Sequence, residues 1–319
     1  MACGVVTESD EGNNTYEPVM SVTVEEIITR NEDNMSRKIA SGFELSKQSW
    51  AALNQNRQLV MFPVISMIGM LFVTILFFIP GAVLVGSAAS TESNTLWVVA
   101  LVVTFIYYFI AYTIVIFSNT ALVGATMKLI QGEPATVGDG LRIAFARLGK
   151  TLVYAFLSAT IGVIAKGISQ SGRSSRNVLV AILSAIVGGL LQGAWNLVVF
   201  FAIPVLVVEN VSLIATFERS WHLFKQTWGE GFVGSATIGG ISCLAYVAVF
   251  LISGAIIAAG IGLGLLPALI LGIVLLVLGF TLISLLNGAV NGIFQASLYN
   301  YGDAGSFIDT ALAREAFKA

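Results

Sequence analysis

Six stretches of this chain are so long and so apolar that they leave one kind of fold open to them. They run from about Leu59 to Ile79, Leu96 to Val123, Thr151 to Ile168, Val178 to Val208, Phe232 to Ala259 and Ala268 to Tyr299. About 20 apolar residues in helical form cross a bilayer core. No water is present there to bond a free N–H or C=O, so each segment has to satisfy its own backbone, as a helix does. The sequence therefore predicts an all-α, polytopic helical membrane protein with six transmembrane helices. Composition agrees, since only 11% of the residues are charged, against about 25% in an ordinary soluble domain.

Between the spans lie amphipathic segments, the clearest in FFAIPVLVVENVSLIATFERSWHLFKQTWGEGFVG, Phe200 to Gly234. The chain leaves the apolar phase at Glu209-Asn210 and returns to it at Gly229. In between, Leu213, Phe217, Trp221, Phe224 and Trp228 fall at steps of 4, 4, 3 and 4, one face of a helix. Glu218, Arg219, His222, Lys225 and Gln226 share the other face. Such a helix suits a membrane–water interface. This is the third in chain order. The first runs from Ser36 to Arg57, with Ile39, Phe43, Trp50 and Leu53 on one side. The second lies in QGEPATVGDGLRIAFARLGK, where Thr136 and Asp139 have capping-box spacing and Leu141, Phe145, Leu148 and Leu152 form the apolar face. Trp50, Trp221 and Trp228 are the predicted interfacial anchors, and Trp97 plays the same part at the start of span two.

Each interfacial helix precedes a pair of spans. Leu45-Ser-Lys-Gln-Ser-Trp50 matches Leu223-Phe-Lys-Gln-Thr-Trp228 at four of six positions. The chain thus reads either as a threefold helix-plus-hairpin repeat or as interfacial helices that converged on Trp, Lys and Gln. Pro80-Gly81 is expected to end span one. Span four, with about 30 residues, exceeds what a bilayer needs. It calls for tilt, an extension past the bilayer or a kink near Pro204.

Residues 1–34 hold eight acids and one base, Arg30, a net charge of −7, while the rest of the chain carries +5. They read as a disordered extension, residues 35–300 as the membrane domain and residues 301–319 as a polar tail. Met35, followed by Ser-Arg-Lys, is itself suited to begin a chain, so the acidic stretch reads either as a mis-called extension ahead of the true start or as a docking arm. The other bases orient the protein. Arg37, Lys38, Lys47, Arg57, Lys128, Arg142, Arg147, Lys150, Arg219, Lys225, Arg314 and Lys318 fall on one side; Lys166, Arg173 and Arg176 fall on the other. Twelve against three places both termini and the interfacial helices in the cytoplasm. Arg173 and Arg176, in a loop without an acid, run against that bias.

The run FELSKQSW…LVMFPVIS from Phe43 to Ser66, then EPATVGDGLRIAFARLGK, then FFAIPVLVVENVSLIATFERSWHLFKQTWGEGFVG, resembles an uncharacterised family of prokaryotic multi-pass membrane proteins catalogued as a domain of unknown function. The resemblance covers about residues 36–300. It implies an inner-membrane protein and supplies no catalytic residues. The acidic extension departs from the family pattern.

No Asp or Glu falls well inside a span, which counts against an ion-coupled pump. The polar groups that do are amides. Asn287, Asn291 and Gln295 recur every fourth residue on span six, beside Gly288, Gly292 and Ala296. Gln192 and Asn196 repeat the pattern on span four, beside Gly189 and Gly193. These stripes either glue helices together, small residues allowing close approach and amides bonding across it, or line a solute path; the two stripes are expected to face each other. His222 reads as a solvated residue, and Glu209 and Glu230, which bracket its helix, are candidates to pair with Arg219 or Lys225. Cys3 and Cys243 with one His supply no zinc or iron–sulfur ligand set. No phosphate loop, nucleophile elbow or HExxH pair is present. The expectation is a non-enzymatic membrane scaffold or accessory subunit without a cofactor. Its partners would be membrane lipids and a membrane protein or a second copy, with no nucleic acid. A transporter or channel for a small or lipidic solute along the amides is the alternative, and an enzyme the least favoured class.

Overall fold

The computed structural model describes residues 24–91, 93–173, 177–209 and 211–303. Of the extension expected to be disordered, residues 1–34, the first 23 lie outside the described residues, as do the loop 174–176 and the tail from 304, whereas residues 24–34 are helical and open the helix Val24–Gln55. The chain divides into two compact units, Met1–Arg37 and Lys38–Ala319, and all that follows concerns the second. Nine α-helices are described: α1 (Val24–Gln55), α2 (Met61–Thr91), α3 (Asn94–Ile130), α4 (Val137–Ala146), α5 (Leu148–Arg173), α6 (Val178–Val198), α7 (Ala202–Val208), α8 (Leu213–Gly262) and α9 (Leu266–Asp303). A 3-10 turn, Arg57–Val60, joins α1 to α2. Among the described residues, six helical stretches are long and apolar enough to cross a membrane, and each contains one of the six predicted spans. They pair as three hairpins, α2 with α3, α5 with α6 and α8 with α9. α3 is central, touching α4, α5, α7 and α9 besides its hairpin partner.

Helix ends follow from local chemistry. Thr136 and Asp139 form the predicted capping box: the Asp139 N–H donates to Thr136 Oγ1 at 3.2 Å, and the Thr136 N–H donates back to Asp139 Oδ2 at 3.0 Å. Ser93, Asn177 and Ser212 cap α3, α6 and α8 with their side-chain oxygens. Gly132 and Gly264 end α3 and α8 at φ +79° and +64°, a region that costs a β-carbon. In each case the next N–H reaches back to the orphaned carbonyl five residues earlier, Glu133 to Lys128 O at 3.0 Å and Leu265 to Gly260 O at 2.8 Å.

Several boundaries differ from the sequence reading. α1 begins at Val24 and not at Ser36. α2 runs through Pro80 to Thr91. A proline removes one helical bond, but leaving the helix in lipid would orphan several backbone groups, so continuing is the cheaper course. Span four is not one helix: α6 stops at Val198 and α7 restarts at Ala202. The pyrrolidine of Pro204 cannot accommodate the helical carbonyl four residues back, which places the break at residues 199–201. The third interfacial helix and span five are continuous in α8, bent at Thr227 (φ −112°, ψ 16°), two residues before the expected turn at Gly229.

The core sits at the end that carries the interfacial helices. Phe201 in the break and Val205 and Leu206 of α7 are fully buried, with Leu122 and Val123 of α3, Leu223 and Ile238 of α8, and Ile293, Phe294 and Leu298 of α9. Further along the bundle, bulky apolar side chains such as Phe72, Phe78, Val178, Leu190, Leu244 and Leu278 lie on the outside. Water would penalise that surface, and hydrocarbon does not.

Candidate functional site

The interfacial helices carry three faces where the sequence reading recognised two. In α8, Thr216, Ser220, Leu223 and Thr227, at steps of 4, 3 and 4, point into the protein and are buried. In α1, Gly42, Ser46, Ser49 and Leu53 do the same at the same steps. In α4 the buried positions are Gly140 and Ala144. Small residues let these helices lie close on their neighbours: a β-carbon at Gly42 would stand 2.5 Å from the Glu230 carbonyl oxygen, and one at Gly140 as close to that of Ala121. The predicted apolar faces divide. Ile39, Phe43, Phe145, Leu152, Trp221 and Trp228 are exposed, whereas Trp50, Leu141, Leu213, Phe217 and Phe224 pack against the core and Leu53 is buried.

The predicted anchors separate accordingly. Trp221 and Trp228 are outward, Lys225 Nζ lies 5.7 Å from the Trp221 ring centre, and Lys38 Nζ lies 6.0 Å from that of Trp228. Trp50 is half-buried and its buried Nε1–H has no partner, so it packs inward. The two similar hexapeptides share one detail of geometry. Ser49 Oγ donates to Leu45 O at 2.8 Å, and Thr227 Oγ1 donates to Leu223 O at 2.9 Å.

The amides close on themselves. Asn291 Nδ2 donates to the side-chain and backbone oxygens of Asn287, both at 2.8 Å, and Gln192 Nε2 donates to Asn196 Oδ1 at 3.1 Å. Gln295, a turn further on, is half-buried. The two stripes do not face each other. α9 packs on α8, α3, α2 and α7, whereas α6 packs on α5 and α8. It is the α7 end of predicted span four that reaches α9. The small residues explain the choice. Gly292 is filled by the Leu122 side chain of α3 and Gly288 faces Pro63 of α2, while Gly189 and Gly193 face open space.

A polar hub surrounds the break between α7 and α8. Arg219 Nε and Tyr299 Oη both donate to Glu209 Oε1, at 3.2 and 3.0 Å. Arg147 Nη2 and Lys150 Nζ, from the α4–α5 elbow, donate to Val207 O at 3.4 Å and Val211 O at 2.7 Å. These carbonyls lie where the helical ladder is interrupted, and cationic donors suit a helix C-terminus. The sequence reading allowed a Glu209–Arg219 pair; Tyr299, Arg147 and Lys150 lie 60 to 90 residues away in sequence and gave no signal.

His222 is exposed on the polar face, as expected. Glu230 is not a surface residue: it is buried below the bend, and its Oε2 has no hydrogen-bond partner. Its neighbours Gly229 and Gly231, which admit Lys38 and Leu298, were the available sign of close packing there.

Comparison with curated proteins finds no match. A family pattern described as a family of unknown function covers residues 98–308, from α3 through the second and third interfacial helices to the end of α9. The stretch FELSKQSW…LVMFPVIS falls before the matched residues, so the family likeness rests on the two later segments. On that match, which spans well over half of the sequence, the chain belongs to the family of unknown function DUF6159.

Proposed function

We propose that this is a multi-pass protein of the cell (inner) membrane, with both termini cytoplasmic, that serves as a membrane scaffold or accessory subunit. The observation that carries this reading is how the interior polar groups are used. The Asn287–Asn291 and Gln192–Asn196 amides bond within their own helices, and side chains such as Leu122 against Gly292 fill the close seams. Such an interior supports cohesion more than passage. The outward faces of α1, α4 and α8, with Trp221 and Trp228 flanked by lysines, support a role exerted at the lipid interface, on lipids or a membrane partner. The twelve-to-three distribution of basic residues supports the orientation.

The test is reconstitution in liposomes. Proton, potassium and chloride flux is expected to equal that of empty vesicles, and Asn287→Leu with Asn291→Leu is expected to leave it there. Flux above the empty-vesicle level that disappears in a folded double variant would replace the scaffold with a transporter. Terminal tags probed from both sides of sealed vesicles check the orientation.

A further inference from the structure

At the end of the bundle away from the interfacial helices, a groove opens sideways beside α3 and α5. α3 begins there at Asn94 and α5 arrives there at Arg173. Lys166 stands across the middle of the groove. Its Nζ donates to Tyr108 Oη at 2.9 Å and lies 5.7 Å from the centre of that ring. On one side of this bridge is a hollow of about 670 Å³ reaching Val85, Trp97 and Leu101. On the other is one of about 360 Å³ reaching Tyr112, Ser169 and Gln192. Lys166, Tyr108 and Gln170 line both, so the two hollows are one groove bridged by an ammonium and a phenol.

The charge at its centre is unbalanced. Lys166 is the sole charged residue in α2, in α3 up to Met127, in α5 between Thr151 and Gly172, and in α6. Among the described residues it takes part in none of the ion pairs, which belong to Lys128, Arg142 and Arg219. A cation on a membrane helix is tolerated when it is paired or reaches the interface. Lys166 is seven residues from the end of α5, about 10 Å along the axis at 1.5 Å per residue. Trp97, near the start of α3, marks the same level as interfacial. Tyr108, Tyr112 and Gln170 line the hollows together with Lys166, and Val85 and Leu101 contribute apolar lining.

We propose that this groove binds a phosphate-bearing anionic amphiphile, a membrane lipid whose phosphate sits on Lys166 and whose acyl chain lies along α2 and α3. A zwitterionic lipid would bring its own cation to Lys166 and is disfavoured. The site lies at the opposite end from the interfacial helices and stands apart from the role proposed for them.

The experiment uses the full chain in mixed micelles, with native mass spectrometry counting retained phosphatidylglycerol against phosphatidylcholine of the same acyl length. Preferential retention of phosphatidylglycerol is expected. Lys166→Met should weaken it about fivefold, the scale of one basic residue at a membrane surface. Lys166→Arg should restore it, and Tyr108→Phe should weaken it in the same direction. Equal retention of the two lipids, or a Lys166→Met variant that retains phosphatidylglycerol like the parent, would overturn the proposal. Inorganic phosphate and glycerol phosphate separate the two sources of the same chemistry. Their failure at millimolar concentration to displace the lipid supports a lipid site, and displacement by either overturns it in favour of a free phosphate.

Discussion

The Ser220 hydroxyl accepts the backbone N–H of Phe201 at 2.9 Å, and both residues are completely buried. The bond ties the break in the fourth span to the third interfacial helix. It also satisfies a donor that the break removes from the helical ladder. Ser220→Ala should orphan that N–H and cost about 1–3 kcal/mol, read as a lower unfolding midpoint in detergent. A change within about 0.5 kcal/mol, the usual range for an inert surface substitution, would mean that the break does not depend on this hydroxyl.

Gly292 and Leu122 meet in the α3–α9 seam. A β-carbon at position 292 would run into the Leu122 side chain. Gly292→Val should therefore destabilise the fold by about 1–3 kcal/mol through overpacking. Adding Leu122→Ala should recover part of the loss, and a double-mutant cycle measures how much. Additive effects would place the two residues out of contact.

The carboxyl of Asp139 is held below the usual carboxylate range, chiefly by the backbone N–H of Thr136, then by its hydroxyl, with Lys128 helping. A depressed value in the folded state means that ionised Asp139 stabilises the fold above the carboxyl's ordinary range. That stability is lost as pH falls through the folded-state value. Hydrogen-exchange protection of the first turn of α4 should fall with acid in the parent protein and be flatter in Asp139→Asn, the two converging at low pH. Parallel curves would remove the capping box from the stability of α4.

Trp221 and Trp228 are outward and Trp50 is turned inward. In vesicles of lipids brominated near the headgroup, replacing Trp221 and Trp228 with Phe should remove a larger share of the quenchable fluorescence than Trp50→Phe does. The reverse order would put α1, not α8, in the lipid interface.

Local and periodic features were legible in the sequence. The six spans follow from apolar length, and the α4 cap follows from Thr136 and Asp139 because both partners lie within one turn. The hub at Glu209 was only half legible, since Arg219 is close in sequence and Tyr299 is not. The inward faces of α1 and α8 were written at steps of 4, 3 and 4, but in Gly, Ser and Thr, which a search for apolar periodicity passes over. The amide stripes misled for a related reason. Two helices that each carry Gly beside an amide look complementary, yet Leu122 of α3 occupies the notch at Gly292 and leaves no room for α6. Lys166 was seen only as a cation near an interface, because its groove is assembled from helices that approach each other in space.

The interruption after Val198 also sets an order of assembly. The 21 residues of α6 make a rod of about 31 Å, enough to cross the hydrocarbon unaided. The hydroxyl that receives the freed amide of Phe201, however, belongs to a residue that leaves the ribosome 19 positions later. Until Ser220 is made, the nascent chain carries an unmet donor at the rim of the bilayer, where water still has access. Insertion of the second hairpin and closure of the core around α7 are thus separate events, the latter waiting on translation of α8.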